Sequence, residues 1–187
     1  HRDLQLDPPP ADSIRQLVGL RLDHIAQELL PTRSSLHAAW IERYRHNWIH
    51  NLHQDLELID GAKEAVIALE AAGYLLAVAT GKSRRGLDRD FSTTGLDRYF
   101  ASSRTVDESP PKPSPGMLLE LMDELGTRPE RTLMVGDTTH DIEMANQAGV
   151  PSVGVLTGSH DRRTLEAHGT VVCLDRAADL PAWLAER

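Results

Sequence analysis

The sequence predicts an α/β protein in which an all-helical first part precedes a parallel sheet that helices cover on both faces. Residues 1–58 show helix-spaced apolar positions and no convincing strand. From residue 59 onward, short apolar runs alternate with helical patterns, and strands joined by helical crossovers run parallel. The run 75–79 is continuously apolar, which is typical of a strand buried on both faces of a sheet.

The composition argues against several classes of function. The chain has 187 residues, with 20 Lys and Arg, 28 Asp and Glu, and a formal net charge of −8. This acid excess disfavours a nucleic-acid partner, because phosphate backbones require clustered basic residues. No apolar run approaches the roughly 20 residues that cross a bilayer, and no signal peptide is visible. The single cysteine, Cys173, excludes an internal disulfide and is expected in the core. We therefore expect a soluble, cytoplasmic protein with no membrane partner.

The first 58 residues are predicted to form helices. A short helix runs to about residue 18 with Asp12 or Ser13 as its cap, and a second covers residues 20–30. A longer helix runs from residue 34 or 35 to about residue 52. Along it an apolar side chain recurs every four residues, which places these side chains on one face. They are Leu36, Trp40, Tyr44, Trp48 and Leu52.

The remaining residues are expected to alternate between helix and strand. The expected strands cover residues 75–79, 101–106, 131–135, 152–156 and 171–174. Helices are expected at residues 61–72, from about 83, from 114 to 126, and at 139–148, 161–168 and 178–185. Ligands of such sheets bind beyond the carboxyl ends of the strands, so polar residues at those ends are the candidate site residues.

Thr80 and Gly81 directly follow the apolar run 75–79. A hydroxyl group and free backbone N–H groups at the start of a helix can hold an anion. Taken alone, an ordinary turn in which Ser or Thr caps the next helix is the more common interpretation.

Lys112 lies in the run Pro111-Lys112-Pro113-Ser114-Pro115. The flanking prolines restrict the backbone and hold the lysine in an extended geometry just before a helix. A cation fixed there could neutralise a phosphoryl group during its transfer. A surface lysine in a rigid loop is the alternative interpretation.

Asp137 ends the apolar run that leads into Gly136-Asp137-Thr138-Thr139-His140-Asp141. A carboxylate at the end of a buried strand is a hard oxygen ligand suited to Mg²⁺. Asp141 follows one helical turn later and can reach the same region. An acid in the first turn of a helix is also favoured by the helix dipole alone, and this is the alternative for Asp141.

The order and spacing of these features carry more information than any one of them. An apolar strand leads into Thr-Gly, Lys-Pro precedes a helix, and a second apolar strand leads into Gly-Asp-x-x-x-Asp. In this order the chain resembles the haloacid dehalogenase superfamily, nearest its phosphoglycolate phosphatase and β-phosphoglucomutase branches. The resemblance implies a three-layer Rossmann-like core at residues 59–187 and an inserted helical cap domain at residues 1–58.

The resemblance also implies a reaction, the Mg²⁺-dependent hydrolysis of a small phosphate monoester through an aspartyl-phosphate. Thr80 matches the second motif of the family and, with the amide of Gly81, would bind the phosphate. Lys112 matches the third motif and would add a positive charge. Asp137 and Asp141 match the fourth motif, in which Asp137 would hold Mg²⁺ while Asp141 shares the metal site or orients Lys112.

The first motif of the family, Asp-x-Asp-Gly-Thr after the first strand, has no counterpart in this sequence. In the family it supplies the nucleophile and the general acid and base. Asp3, Asp7 and Asp12 follow no apolar run, so none of them is nominated. With a first residue other than Met, this favours an N-terminally incomplete chain that is inactive by itself.

By resemblance, the absent strand is the central one, between the strands predicted at 75–79 and 131–135. Those two strands would then lack a ladder partner, and their backbone groups would be unpaired. We expect the chain to close the gap by rearrangement, to borrow a strand from another chain, or to be part of a longer protein.

The cap is expected to select the substrate. Residues 19–23 form a candidate substrate-facing segment in which Arg21 could bind a substrate carboxylate, although a solvated helix start is the alternative. His46, His50 and His53 share a helical face, and the first two have the spacing of a metal pair. A solvated cap-helix face is the more common arrangement for such histidines.

Two functions of different classes remain open from the sequence. The first is a Mg²⁺-dependent phosphatase that acts on a small phosphorylated metabolite as a monomer or weak dimer. The second is a catalytically inactive phosphate-binding or scaffold protein of the same fold. A dehalogenase is disfavoured, since Lys112 with two acids suits a phosphate dianion and a metal better than a halide.

Overall fold

A computed structural model describes residues 1–48 and 57–187, and it has an α/β fold. The helices are α1 (Ala11–Leu17), α2 (Leu22–Leu29), α3 (His37–Asn47), α4 (Ala62–Ala71), α5 (Arg84–Thr94), α6 (Gly116–Glu124), α7 (Thr139–Ala148), α8 (Arg162–Ala167) and α9 (Leu180–Ala185). The strands are β1 (Ala77–Ala79), β2 (Ser102–Arg104), β3 (Met134–Gly136), β4 (Ser152–Val155) and β5 (Val172–Leu174). Helix and strand therefore alternate after α4, as the sequence predicts.

The helical first part has a hydrophobic cluster of its own. Leu6, Ala26, Leu30 and Trp40 are buried together, and apolar side chains of α2 and α3 pack around them. The predicted stripe on α3 is confirmed up to Trp48. Its rings stack in series, with centroids 5.7 Å apart between Trp40 and Tyr44 and 6.1 Å apart between Tyr44 and Trp48. Leu52 lies outside the described residues, and the domain boundary at residue 58 stays a prediction.

Several predicted element boundaries are wrong. The cap expected at Asp12 or Ser13 is replaced by Pro10, whose extended backbone (ψ 141°) makes Ala11 the first helical residue. The strand expected from residue 131 begins at Met134, because Pro129–Arg131 forms a 3₁₀ turn instead. The helix expected from residue 34 likewise begins with a 3₁₀ turn over Ser34–Leu36.

The strands of the described residues pair in parallel, in two separate sheets. In the first sheet β1 pairs with β2, with Val78 opposite Ser103. In the second sheet β4 lies between β3 and β5. Among the residues that the structure describes, no strand pairing joins β1 to β3.

The prediction that the run 75–79 is buried on both faces is wrong. Only Ala77–Ala79 is strand, and Leu75 is 67% exposed. Leu75 precedes the strand, and β1 pairs with β2 alone among the strands that the structure describes, so it lies at an edge of its sheet. By contrast β4 has neighbours on both sides, and every one of its residues is buried.

The core under the second sheet supports the strand that carries the candidate site. Met134 of β3 packs in a cluster with residues of the two helices that flank it, among them Met117 of α6 and Met144 of α7. Cys173 is buried with Ile142 and Leu165, which confirms its predicted place in the core. None of the helices described is long and apolar enough to cross a membrane.

Candidate functional site

Asp137 is the first residue after β3 and is half-buried. Its carboxylate Oδ2 accepts a hydrogen bond from the backbone N–H of Ser159 at 2.9 Å. Its backbone carbonyl accepts one from the N–H of His160 at 3.2 Å. No protein donor reaches Oδ1 within the part of the chain that the structure describes. One oxygen of this carboxylate is therefore fixed and the other is open.

Gly158 allows the segment after β4 to wrap around Asp137. A Cβ atom at residue 158 would lie 1.9 Å from Asp137 Oδ2, closer than any non-bonded contact permits. The absence of a side chain at this position lets the backbone of residues 158 and 159 lie against the carboxylate. This contact joins two loops that are far apart in the sequence.

Asp141, in the first turn of α7, has both carboxylate oxygens engaged by protein donors. Oδ2 accepts from the N–H and the hydroxyl of Thr138, at 3.2 and 2.8 Å. The Thr138 hydroxyl in turn accepts from the N–H of Asp141 at 3.3 Å, which completes a capping box. Oδ1 accepts from Lys112 Nζ at 2.5 Å. This arrangement favours an orienting role for Asp141 over direct ligation of a metal.

The ion pair between Lys112 and Asp141 is buried, with 8% and 6% of the two side chains exposed. Gly136 permits it, because a Cβ atom at residue 136 would lie 2.3 Å from the Cβ of Asp141. The predicted third and fourth motifs therefore meet at the carboxyl end of β3. The alternative in which Lys112 is a surface lysine is wrong.

Thr80 and Gly81 follow β1. The Thr80 hydroxyl accepts a hydrogen bond from the N–H of Lys82 at 3.2 Å, and Ser83 caps α5 by accepting from the N–H of Gly86 at 3.2 Å. The local turn and cap are therefore present. They do not exclude anion binding, because a hydroxyl that accepts one hydrogen bond can still donate its own proton.

Gly19 of the helical first part connects these two regions. A Cβ atom at residue 81 would lie 2.4 Å from the carbonyl oxygen of Gly19. On its other side, a Cβ atom at residue 19 would lie 3.5 Å from the Thr138 hydroxyl. The loop at Thr80, the capping box that holds Asp141 and the helical first part therefore meet at one place.

Arg21 immediately precedes α2, where its side chain makes no capping hydrogen bond, and its charge is paired locally. Its guanidinium donates from Nε to Asp23 Oδ1 at 3.0 Å, and its Nη2 lies 2.9 Å from Asp23 Oδ2. The side chain remains 43% exposed. Arg21 follows two residues after Gly19, which lies against Gly81, but it shares its charge with Asp23, and its contact with a substrate stays a prediction.

His140 and His160 lie beside the site and were not predicted from the sequence. His160 Nδ1 accepts a hydrogen bond from the N–H of Thr139 at 2.9 Å. His140 Nε2 lies 3.0 Å from the carbonyl oxygen of Gln16, and the two imidazole rings meet edge to face at 6.2 Å. His140 stands in the fourth motif and could have been noticed there. His160 comes from another loop, and no spacing indicates it.

The described residues offer a partial site for a metal ion. Among them, no group of three or more His, Cys, Asp and Glu side chains is arranged to hold one. Mg²⁺ usually takes one or two carboxylates and completes its shell with waters and phosphate oxygens. The open oxygen of Asp137 fits that pattern. The arrangement of His46, His50 and His53, for which a solvated helix face is the favoured interpretation and a metal pair the alternative, cannot be examined, because His50 and His53 lie outside the described residues.

A family model described as haloacid dehalogenase-like hydrolase matches residues 2–155 of the chain. The protein belongs to this family. The family predicted by resemblance is thereby confirmed, and the match includes the loops that carry Thr80, Lys112, Asp137 and Asp141.

Two relatives of this haloacid dehalogenase-like hydrolase are described as phosphatases. The "Probable phosphatase IndB" of Dickeya dadantii is 34% identical over 184 residues, which cover 96% of this chain and 80% of the relative. The pyrophosphatase PpaX of Bacillus mycoides is 33% identical over 165 residues, covering 85% and 76% of the two chains. Both names describe the relatives themselves.

Solved structures confirm the fold of this haloacid dehalogenase-like hydrolase. The crystal structure of a predicted phosphoglycolate phosphatase of Haemophilus somnus superposes with a TM-score of 0.86 at 23% identity, covering 98% of this chain and 86% of that one. A predicted phosphatase of Clostridium acetobutylicum also gives 0.86, at 20% identity and with 100% and 87% covered. At these identities the likeness concerns the fold alone.

Proposed function

We propose that this protein is a phosphatase that hydrolyses a small phosphate monoester. The observation that carries the proposal is the buried ion pair of Lys112 and Asp141 beside the open carboxylate oxygen of Asp137. An ammonium group and such an oxygen at the carboxyl end of one strand suit a phosphate dianion with a divalent cation. The hydrolase family and the phosphatase names of the relatives support the same activity.

Lys112 and Thr80 would bind the phosphoryl group. An ammonium group has three N–H donors, and Asp141 accepts from one of them, so the others can donate to phosphate oxygens. Burial of the ion pair excludes water, which strengthens the attraction between the ammonium and a bound anion. The Thr80 hydroxyl and the N–H of Gly81 would add neutral donors at the end of β1.

Asp137 would hold Mg²⁺ through its open oxygen Oδ1. When bound, the ion would offset the negative charge of the phosphate and of an attacking carboxylate. The N–H of Ser159 keeps the other oxygen in place, and this contact orients the ligand before the ion arrives. Asp141 would act on the site through Lys112.

The proposed covalent step needs an Asp nucleophile in the context Asp-x-Asp-Gly-Thr, which residues 1–187 do not contain. We propose that it comes from a segment outside these residues or from another chain. Its carboxylate oxygen would attack phosphorus, and the ester oxygen would leave as the alcohol with a proton from the second Asp. Water would then attack the phosphorus of the aspartyl-phosphate, which releases inorganic phosphate and restores the carboxylate.

The cap would choose among small phosphorylated metabolites. Gly19 and Leu20, at the start of the segment 19–23, lie against Gly81, and Arg21 could exchange Asp23 for a substrate carboxylate. We further propose that the protein acts in the cytoplasm as a monomer or weak dimer. Size-exclusion chromatography with light scattering would test the assembly, and fractionation of the source cells would test the location.

A comparison of two proteins tests the proposed reaction. One is the present chain, and the other carries an added N-terminal apolar strand that ends in Asp-x-Asp-Gly-Thr. Both would be assayed against a panel of phosphate monoesters with Mg²⁺ or with EDTA, and calorimetry would measure binding of inorganic phosphate. We expect Mg²⁺-dependent hydrolysis by the extended protein only. Binding without hydrolysis in both proteins would favour the inactive scaffold, and no binding in either would overturn the proposal.

A further inference from the structure

Residues 16–20, which we call the cap turn, contact the core on two sides of the candidate site. The carbonyl oxygen of Gly19 lies so close to Gly81 that a Cβ atom there would approach it to 2.4 Å. The carbonyl oxygen of Gln16 lies 3.0 Å from His140 Nε2. The cap turn therefore spans from the loop after β1 to the first turn of α7.

His140 is placed to hold this arrangement by a hydrogen bond. It is the residue before Asp141 in the first turn of α7, and its ring is half-buried. A carbonyl oxygen only accepts, so the contact with Gln16 requires the hydrogen of His140 to be on Nε2. The imidazole therefore donates from the core to the cap turn.

The other end of the cap turn depends on shape. Gly19 has φ +93°, a conformation that favours glycine, and it lies in the turn between α1 and α2. Gly81 has no side chain to obstruct the carbonyl oxygen of Gly19. The backbones of Gly19 and Gly81 are therefore in contact at this end of the cap turn. At the other end, His140 makes a hydrogen bond to the carbonyl oxygen of Gln16.

The ring of His160 packs against the ring of His140. The two rings meet edge to face with their centroids 6.2 Å apart. His160 is itself fixed, since its Nδ1 accepts the N–H of Thr139 at 2.9 Å. The His140 ring therefore contacts the same segment that lies against Asp137.

We propose that His140 is a positioning residue that holds the cap turn over the candidate phosphate site. Through this contact the imidazole sets the distance between the substrate-facing segment 19–23 and the loops that carry Thr80 and Asp141. The contact itself is independent of the reaction, whereas its effect on substrate selection rests on the proposed function.

Hydrogen–deuterium exchange of the full chain tests the contact without any assay of activity. In the cap turn the N–H groups of Val18 and Leu20 donate to Arg15 and Leu17, so their exchange reports on local opening. In His140→Ala we expect peptides that cover residues 11–22 to exchange roughly 5- to 10-fold faster. Peptides from α3 and α8 should keep the rates of the unsubstituted protein.

Two further variants make the result specific. His140→Gln keeps a side-chain N–H donor, so we expect it to restore most of the protection. His168→Ala is the matched control, because the His168 ring bonds to the carbonyl oxygen of Thr164 within the core at 2.8 Å. It should leave residues 11–22 unchanged. Equal exchange of residues 11–22 in His140→Ala and the unsubstituted protein would overturn the proposal, as would a uniform acceleration along the whole chain.

The expected effect of His140 on substrate binding is tested separately from the contact itself. In a form of the protein with phosphatase activity, His140→Ala should raise KM by roughly 5- to 10-fold with kcat changed less than 2-fold, since the chemical groups stay in place. An equal fall in kcat would contradict a positioning role in substrate binding. Absence of hydrolysis in every variant, together with the expected exchange pattern, would refute the proposed function and leave the contact established.

Discussion

At Asp137 the two carboxylate oxygens have different surroundings. Oδ2 accepts from the N–H of Ser159 at 2.9 Å, and no protein donor reaches Oδ1 in the described part of the chain. An ionised carboxylate with one oxygen fixed presents the other in a defined direction, which suits a hard cation. The residue is therefore prepared for a ligand rather than for a structural ion pair.

Asp137→Asn should weaken binding of Mg²⁺ to the full chain at least about 10-fold, because a carboxamide oxygen carries no full negative charge. Titration calorimetry with magnesium chloride measures the change. Glu130→Gln is the matched control, since Glu130 is exposed in a turn before β3 and its replacement removes the same charge. An unchanged affinity in Asp137→Asn would remove this residue from the metal site.

Gly158→Ala tests the contact that fixes the Asp137 side chain. The added Cβ would fall 1.9 Å from Oδ2, so either the loop or the carboxylate must move. We expect a loss of about 1–3 kcal/mol in the free energy of unfolding, as for an overpacked site, together with weaker Mg²⁺ binding.

Gly86→Ala is the control for Gly158→Ala, since the nearest atom to a Cβ there is the Ser83 hydroxyl oxygen, at 3.3 Å instead of 1.9 Å. Urea denaturation monitors the stability of both variants. A Gly158→Ala protein with unchanged stability and metal affinity would show that the segment 158–160 does not constrain Asp137.

At the scale of elements, the ion pair between Lys112 and Asp141 fastens the loop before α6 to the first turn of α7. Buried charges are costly to separate, because the remaining partner is left without compensation. Asp141 is further held by Thr138, so the pair and the cap of α7 form one unit. Loss of either charge should therefore affect both elements.

Lys112→Met should lower the free energy of unfolding by about 3 kcal/mol, because the carboxylate of Asp141 then stays buried without its cation. Lys112→Met combined with Asp141→Asn should lose less than the sum of the two single losses. Chemical denaturation of the four proteins gives the coupling energy. Lys63→Met, at an exposed lysine of α4, is the control. Strictly additive losses would contradict the coupling.

A second ion pair connects the start of α5 to the loop after β2. Arg84 donates from Nε and Nη2 to Glu108 at 2.8 and 2.6 Å, and hydrogen bonds from this guanidinium and from Thr105 lower the pKa of Glu108 to about 2. The folded pKa lies below the ordinary value of 4.5. The pair therefore stabilises the fold fully above about pH 4.5 and is lost as the pH falls toward 2.

Glu108→Gln should reduce the free energy of unfolding near pH 7 by about 1 kcal/mol or less, since both side chains are about a third exposed. The difference between this variant and the unsubstituted protein should shrink between pH 4.5 and 2. Thermal unfolding across this range measures it. A difference that stays constant from pH 7 to pH 2 would show that ionisation of Glu108 does not contribute.

At the scale of the whole molecule, the parallel strands form two sheets, and β1 of the first is not paired with β3 of the second in the described residues. Side chains near both strands nevertheless share hydrophobic clusters, for instance Leu76 with Val135. The two sheets thus belong to one core while their backbones stay apart. A further parallel strand between them would satisfy both edges.

Adding an N-terminal apolar strand should raise the free energy of unfolding by at least about 2 kcal/mol relative to the present chain. This corresponds to an increase in Tm of roughly 4–8 °C. The reason is the added backbone ladder on β1 and β3. Differential scanning calorimetry compares the two proteins. A polar extension of equal length is the control, and equal stability of all three would refute the expected pairing.

The alternation of helices and strands was predictable because it follows from local patterns. Apolar runs, with glycines and prolines between them, determine where helices and strands form. Lys112 and Asp137 could be predicted as site residues because one precedes a predicted helix and the other ends a predicted strand. The start of β3 was missed because Arg131, Thr132 and Leu133 continue directly into the apolar strand. The 3₁₀ turn at Pro129–Arg131 depends on a backbone hydrogen bond that the residue types do not reveal.

The sequence by itself determined the family, the order of elements and the strand ends that carry the candidate site, because each of these is written in short stretches of chain. Only the tertiary structure decided the exposure of Leu75, the open oxygen of Asp137 and the places of His140 and His160. These properties arise where residues distant along the chain come into contact, and no local pattern encodes such a meeting.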